Sequence, residues 1–147
     1  MATVFTRIIS GEFPGRFVWA DDDVVAFLTI EPISHGHALV VPRAEVDPWT
    51  ALDPALRDRL FEVAQTIGSV QLAAFGGARV GLVVAGYGVP HAHVHVYPTT
   101  TIHDFDQTRL LRDATPERLD ADAELLREAL RAAGVGGFVP GPGPLAG

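Results

Sequence analysis

The chain has 147 residues, 48% of them hydrophobic and 20% charged, which fits one globular domain rather than a disordered chain. Its 11 basic and 18 acidic side chains give a formal net charge of −7, and every basic residue is arginine. The absence of lysine excludes a Schiff-base or Walker A lysine, and the absence of cysteine excludes disulfides, thiolate nucleophiles and cysteine-ligated zinc. The acidic balance argues against nucleic-acid binding, although a compact nucleotide pocket needs only local donors.

No apolar run approaches the roughly 20 residues of a membrane span. Residues 1–20 also lack the charged start and apolar stretch of a secretion signal. We therefore expect a cytoplasmic protein that does not bind membranes.

The first half of the chain predicts one short helix and three strands. Apolar residues in positions 5–10 give one face of a short helix, which Gly11 and Pro14 end. Alternating or continuous apolar residues then predict strands at 16–20, 24–30 and 38–41.

The second half predicts two helices, two strands and a tail. Asp53 before Pro54 is typical of a helix start, and apolar residues at spacings of three and four continue that helix until Gly76. Strands are predicted at 80–84 and 91–97, with a glycine-containing loop at 85–90 between them. Thr115 before Pro116 starts a last helix that reaches about residue 133. We expect one domain over residues 1–133 and a flexible glycine- and proline-rich tail over 134–147.

This order of elements favours one fold class. Strands that are close in sequence and intermixed with helices favour an α+β domain with a mainly antiparallel sheet over a doubly wound parallel sheet. The five predicted strands form this sheet, with a long central helix and a C-terminal helix.

Three of the six histidines alternate in the stretch His91-Ala92-His93-Val94-His95. Because side chains of a strand alternate between its two faces, a strand here would project all three imidazoles from one face. Each buried ring needs hydrogen-bond partners, so simple packing does not explain the pattern. Two interpretations remain open at this point: the imidazoles bind a metal ion such as zinc, or one of them attacks phosphorus as a nucleophile.

The wider sequence resembles the histidine triad (HIT) superfamily, most closely its Hint-like branch. The resemblance covers roughly residues 4 to 100 and rests on four stretches in the expected order, namely 4–14, 22–32, 36–43 and 91–98. It implies a HIT-like fold and hydrolase or transferase activity on nucleotide conjugates, without a metal or other cofactor. It also implies a homodimer built through an extended sheet.

The resemblance implies a role for four histidines. His93 matches the nucleophile that attacks the α-phosphate of a nucleotide and forms a nucleotidyl-histidine intermediate. His95 matches the histidine that contacts a non-bridging phosphate oxygen. His91 matches the first triad member, whose backbone carbonyl fixes the tautomer of the nucleophile, and His37 matches an upstream histidine that hydrogen-bonds within the cluster.

The resemblance also implies a substrate pocket for a nucleotide with a purine base. Five apolar residues fall where the family lines its base and ribose pocket, although core packing explains them equally well. The remaining expected contacts come from the end of the second strand and from the loop before the triad. The full expected set is Phe5, Ile8, Phe27, Thr29, Ile30, Leu39, Tyr87, Gly88 and Val89.

Three features depart from the family pattern. Thr29 replaces an aspartate that binds the ribose hydroxyls, and Tyr87 and Gly88 replace a glutamine and a small hydroxyl residue that assist the leaving group. The loop near Ala85 is shorter and lacks the family's asparagine. These departures motivate the hypothesis of a nucleotide-binding regulatory protein without turnover. Two further hypotheses are a dinucleoside polyphosphate hydrolase and a metal-binding module that uses His91, His93 and His95.

Overall fold

The computed structural model describes residues 1–145 and contains three α-helices and five β-strands. The elements are α1 (Val4–Ile9), β1 (Phe17–Ala20), β2 (Val24–Leu28), β3 (Ala38–Pro42), α2 (Pro54–Phe75), β4 (Arg79–Val83), β5 (Val94–Thr99) and α3 (Pro116–Leu130). Short 3-10 turns at Trp49–Ala51, Ile102–Phe105 and Gly136–Phe138 and a π turn at Arg131–Val135 connect or follow them.

The five strands form one antiparallel sheet in the order β1-β2-β3-β5-β4. The predicted α+β class with a five-stranded antiparallel sheet, a long central helix and a C-terminal helix is therefore confirmed. β3 and β5 are neighbours, with Leu39 opposite His95 and Val40 opposite Val94. This pairing brings the histidine stretch beside the strand that follows His37.

The sheet separates two apolar clusters because side chains alternate along each strand. On one face, Val40, Val94 and Val96 pack with buried residues of α2 and α3. On the other face, Phe27 and Leu39 belong to a smaller cluster that α1 covers. His95, which alternates with Val94 and Val96 on β5, therefore lies on the side of α1, away from the main core.

The helices begin where the sequence predicts them. Asp53 accepts a hydrogen bond from the backbone N–H of Leu56, and Thr115 accepts one from the N–H of Arg118. Proline stands at the start of both helices, where a missing N–H costs no helical hydrogen bond. α2 ends at Gly76, whose φ of 83° suits glycine.

The predicted start of the last strand is wrong by three residues. β5 begins at Val94, so His91 and His93 precede it and only His95 lies on the strand. The backbone N–H of Ala92 donates to Val46 O at 2.7 Å rather than to a strand neighbour. Pro42 on β3 has no backbone N–H to donate to a neighbouring strand. Its carbonyl oxygen accepts a hydrogen bond from the His91 ring. β2 is also shorter than predicted and ends at Leu28.

The C-terminal segment contacts the domain over the part that the structure describes. Phe138 stacks on Trp19 with ring centroids 4.8 Å apart, and Leu145 packs beside the apolar cluster under α1. The predicted tail spans residues 134–147, of which 146 and 147 lie outside the described residues. Its flexibility stays a prediction. Within residues 1–145, no helix has the length and apolar character to cross a membrane.

Candidate active site

One ring nitrogen of His93 is hydrogen-bonded to the backbone, and the other is available to react. Its Nδ1 lies 2.8 Å from the carbonyl oxygen of His91. Because a carbonyl only accepts, Nδ1 carries the hydrogen and Nε2 of the neutral ring carries the lone pair. No group within residues 1–145 hydrogen-bonds to that Nε2. His93 as a whole is 7% exposed, so this nitrogen belongs to a nearly buried residue.

His91 is fully buried and uses both of its ring nitrogens. Nε2 lies 2.7 Å from the carbonyl oxygen of Pro42, and Nδ1 lies 2.7 Å from the hydroxyl oxygen of Thr3. The Pro42 carbonyl requires a hydrogen on Nε2, so the Thr3 hydroxyl must donate to Nδ1. His91 thus contributes its backbone carbonyl to His93, while its side chain is a fixed part of the interior.

His37 and His95 form a hydrogen-bond chain with a single direction. The backbone N–H of Ile33 donates to His37 Nδ1 at 3.0 Å, so His37 carries its hydrogen on Nε2. That Nε2 lies 2.9 Å from His95 Nδ1, which therefore accepts. It follows that neutral His95 carries its remaining hydrogen on Nε2 and can donate it outward. The ring centroids of His95 and His93 lie 5.2 Å apart, so the His95 ring that carries this donor lies next to the His93 ring.

The loop before β3 holds His37 in place. Gly36 has a φ of +85°, and an added Cβ would stand 2.3 Å from the Phe75 ring. Its carbonyl accepts a hydrogen bond from Gln71 Nε2 at 2.9 Å, and Gln71 is fully buried on α2. The Tyr97 ring stacks on His37 at a centroid distance of 4.5 Å. The loop, the long helix and β5 together fix the orientation of the His37–His95 pair.

His35 lies two residues before His37 and is partly buried. Its Nδ1 lies 2.6 Å from the Asp122 carboxylate and its Nε2 lies 3.2 Å from the Asp113 carboxylate. Asp122 lies on α3 and is 3% exposed. His35 therefore ties the loop that carries His37 to the C-terminal helix. Sequence reasoning missed this link because both partners lie more than 75 residues away along the chain.

Several predicted pocket residues form one apolar wall beside His93. The Phe5 ring lies 4.9 Å from the His93 ring and 5.7 Å from the Phe27 ring, in edge-to-face arrangements. Leu39 belongs to the same cluster, and Ile8 and Val89 pack at its border. These five residues therefore lie in one cluster, which meets His93 through Phe5.

The other four predicted pocket residues are more exposed. Ile30 is 72% exposed and Tyr87 is 99% exposed. Thr29 accepts a hydrogen bond from the backbone N–H of Glu31 at 3.1 Å, which leaves its own hydroxyl hydrogen free to donate. Gly88 lies in the exposed loop before the histidines. The structure therefore leaves this side of the site open to solvent.

Burial favours the neutral form of the His37, His93 and His95 rings. Desolvation and the neighbouring His95 lower the pKa of His37 from 6.5 to about 3. Desolvation and the neighbouring His93 lower the pKa of His95 to about 4. Desolvation also lowers the pKa of His93, against the opposing effect of its bond to the His91 carbonyl. Neutral rings at neutral pH are what a nucleophilic imidazole and the hydrogen-bond chain both require.

The alternative of a metal site built from all three alternating histidines does not fit this geometry. Among residues 1–145, no group of three or more His, Asp or Glu side chains is placed to hold a metal ion. Both nitrogens of His91 are already hydrogen-bonded, and His93 and His95 each use Nδ1 for another partner.

Comparison with known proteins assigns the family. The sequence profile described as the HIT domain matches residues 10–102, which is more than half of the chain. The chain belongs to the HIT family. An uncharacterised HIT-like protein of Methanocaldococcus jannaschii is 34% identical over 99 residues, covering 65% of this chain and 77% of that protein.

Two further relatives of this HIT protein carry more informative descriptions. Adenylylsulfatase HINT3 of Arabidopsis thaliana is 29% identical over 100 residues, which cover 65% of this chain and 51% of that protein. The crystal structure of a zinc-bound histidine triad family protein from Mycobacterium smegmatis superposes with a TM-score of 0.76 at 26% identity, covering 91% of this chain and 96% of that one. The HIT-like fold predicted from the sequence is thus confirmed.

The histidine cluster makes the stability of the fold depend on pH. The lowered pKa values of His37 and His95 mean that the unfolded chain binds protons that the folded chain does not, between pH 6.5 and about 4. We expect the free energy of unfolding to fall as the pH drops below 6.5, by up to about 1.4 kcal/mol per pH unit for each of these histidines. Urea unfolding at pH 7.5, 5.5 and 4.5 measures the slope.

A substitution separates the contribution of the His37–His95 pair to this slope from that of other titrating groups. His37→Gln removes one of the two groups and should flatten the slope, whereas His103→Gln changes an exposed histidine outside the cluster and serves as the control. Equal slopes for wild type and His37→Gln would contradict the assignment.

Proposed function

We propose that this HIT protein is a nucleotide-binding hydrolase or transferase that cleaves the α-phosphate linkage of nucleoside phosphoramidates or related adenylate conjugates. The observation that carries the proposal is the state of His93, whose Nδ1–H is fixed by the His91 carbonyl while its Nε2 lone pair is unoccupied. An imidazole held in this tautomer is ready to attack phosphorus.

The hydrogen positions support a two-step reaction. In the first step, His93 Nε2 attacks the α-phosphorus and forms an N–P bond as the leaving group departs with the bonding pair and takes a proton from solvent. The ring becomes positively charged, and the His91 carbonyl stabilises its Nδ1–H. The Nε2–H of His95 donates a hydrogen bond to a non-bridging phosphate oxygen. In the second step, water attacks the same phosphorus and loses a proton to solvent, and the N–P bond breaks to release the nucleoside monophosphate and neutral His93.

The apolar wall supports binding of the base, with a purine as the proposed preference. Phe5, Ile8, Phe27 and Leu39 lie together beside His93 and offer aromatic and aliphatic contacts to a flat ring. The Thr29 hydroxyl is available to donate to a ribose oxygen. The name of the Arabidopsis relative, an adenylylsulfatase, supports adenylate conjugates as the class to test. A cytoplasmic location stays a prediction.

A second candidate function rests on the loop before the triad. Tyr87 projects into solvent, and Gly88 has no side chain with which to assist a leaving group. A protein with this loop could bind a nucleoside monophosphate as a regulatory signal without turning over conjugates. An assay of AMP release from an adenosine phosphoramidate distinguishes catalysis from binding without turnover. A parallel assay with a dinucleoside polyphosphate distinguishes a phosphoramidase from a dinucleoside polyphosphate hydrolase.

The His93→Ala variant should release no AMP from an adenosine phosphoramidate, because the nucleophilic nitrogen is gone. Wild type should release AMP with excess chelator present, and acid quenching should trap an adenylylated protein detectable by mass spectrometry. His103→Ala, which changes an exposed histidine, is the matched control and should keep full activity. Persistent turnover in His93→Ala would overturn the nucleophile assignment, and binding of AMP by an inactive wild type would favour the regulatory function.

Gly88→Ser should raise kcat if the missing hydroxyl limits departure of the leaving group. A Cβ added at Gly88 meets no heavy atom within 4 Å, so the loop has room for serine. Protonation of a leaving group contributes about 100-fold or more to catalysis, so partial restoration predicts a rise of about 10-fold. Gly137→Ser, at another glycine with free space, is the control. An unchanged kcat would show that the hydroxyl does not limit this enzyme.

We also propose that the protein forms a homodimer through β4. This strand lies at the edge of the sheet, where its outer backbone groups are available to a second copy. Leu82 on β4 is 46% exposed and borders a groove that Phe61 and Gln65 of α2 also line. Pairing of two β4 edges would cover this apolar surface.

Leu82→Glu should therefore convert a dimer into a monomer, since it places a charge in the shared surface. Sedimentation equilibrium at several concentrations measures the mass. Leu110→Glu, at a leucine 39% exposed elsewhere on the surface, should leave the mass unchanged. A monomeric wild type would rule out the proposed dimer.

A further inference from the structure

Thr3 connects the first residues of the chain to the histidine cluster. It is the N-cap residue of α1, and its hydroxyl oxygen accepts the backbone N–H of Thr6 at 3.2 Å. The same oxygen lies 2.7 Å from Nδ1 of His91, which is 88 residues away along the chain. The hydroxyl therefore serves both the helix and the histidine.

The direction of the hydrogen bond is fixed by the other side of the imidazole. His91 Nε2 must carry a hydrogen because it faces the Pro42 carbonyl, so Nδ1 has a lone pair that needs a donor. The Thr3 O–H supplies that donor. His91 is fully buried, so water would not replace the Thr3 hydroxyl as a hydrogen-bond donor. Removal of that hydroxyl would therefore leave His91 Nδ1 unpaired.

Thr3 is itself held by a carboxylate on the loop after β3. Its backbone N–H donates to Glu45 Oε1 at 2.8 Å, and the Thr6 hydroxyl donates to the same oxygen at 2.6 Å. These two hydrogen bonds, led by the one from Thr6, lower the pKa of the Glu45 carboxyl and favour its ionised, accepting form. The start of α1 is therefore pinned at the position where Thr3 reaches His91.

We propose that Thr3 is a positioning residue for the nucleophile, which acts by holding the His91 ring in one tautomer and orientation. The backbone carbonyl of that same residue accepts from His93 Nδ1–H, and α1 also places Phe5 against both rings. Loss of the Thr3 hydroxyl would release the His91 ring and with it the carbonyl that fixes His93. The expected effect of Thr3 on catalysis rests on the proposed function, whereas its hydrogen bond to His91 does not depend on that function.

The test compares two variants of Thr3 with a control elsewhere on the surface. Thr3→Val keeps the side-chain shape and lacks the hydroxyl, and Thr3→Ser keeps the hydroxyl. Thr108→Val removes an exposed hydroxyl that binds Asp106 and lies outside the histidine cluster. Hydrogen-bond partners that orient metal-ligating histidines change affinity or activity by about 10- to 100-fold, and we expect an effect of similar size here. Thr3→Val should therefore lower kcat by that amount with a smaller change in KM, Thr3→Ser should restore it, and Thr108→Val should keep the wild-type kcat.

Nitrogen-15 NMR of the histidine rings provides a readout that does not depend on turnover. Wild type should show His91 as the Nε2–H tautomer with a hydrogen-bonded Nδ1, and Thr3→Val should alter the His91 and His93 resonances. A wild-type His91 with its hydrogen on Nδ1 would overturn the proposal even if Thr3→Val fails to fold. Wild-type kcat in a folded Thr3→Val would overturn it as well. An inactive wild type with the expected tautomers would refute the proposed function and leave the Thr3 hydrogen bond intact.

Discussion

The hydrogen bond from His93 Nδ1–H to the His91 carbonyl is the interaction on which the site depends. A peptide carbonyl cannot donate, so this contact alone decides which nitrogen of His93 carries the lone pair. The bond joins two residues of the segment that precedes β5, and this segment is not part of the strand. The irregular backbone before Val94 is therefore part of the site's geometry, since a ladder continued through Ala92 would change where the His91 carbonyl points.

His37, His91 and His95 obey the same rule, because each of their chains of hydrogen bonds starts from a peptide group with a fixed role. The Ile33 N–H sets the direction through His37 to His95, and the Pro42 carbonyl sets the tautomer of His91. Burial strengthens this control by lowering the pKa values of His37, His93 and His95, so the rings stay neutral and the directions persist at neutral pH. The fold thus fixes the proton positions of these rings through its backbone.

Local patterns were sufficient to predict the sheet, the two long helices and the set of histidines. Strand alternation and the caps at Asp53 and Thr115 are properties of neighbouring residues, so they can be inferred from the sequence. The start of β5 was mispredicted because alternation continues through His91 while the partner strand ends at a proline. Links such as Thr3 to His91 carry no local signal at all, since a threonine before a helix is explained by capping alone.

The structure divides the site into a buried half and an exposed half, and the sequence departures fall in the exposed one. His37, His91 and His93 lie in the interior, where a changed hydrogen-bond partner leaves a buried polar atom unpaired. Tyr87 and Gly88 lie on a loop that contacts solvent, where substitutions cost the fold little. Under the proposed function, this loop can therefore alter recognition of the leaving group without disturbing the histidine that would attack phosphorus. The proposal thus assigns the choice of conjugate to the loop rather than to the histidines.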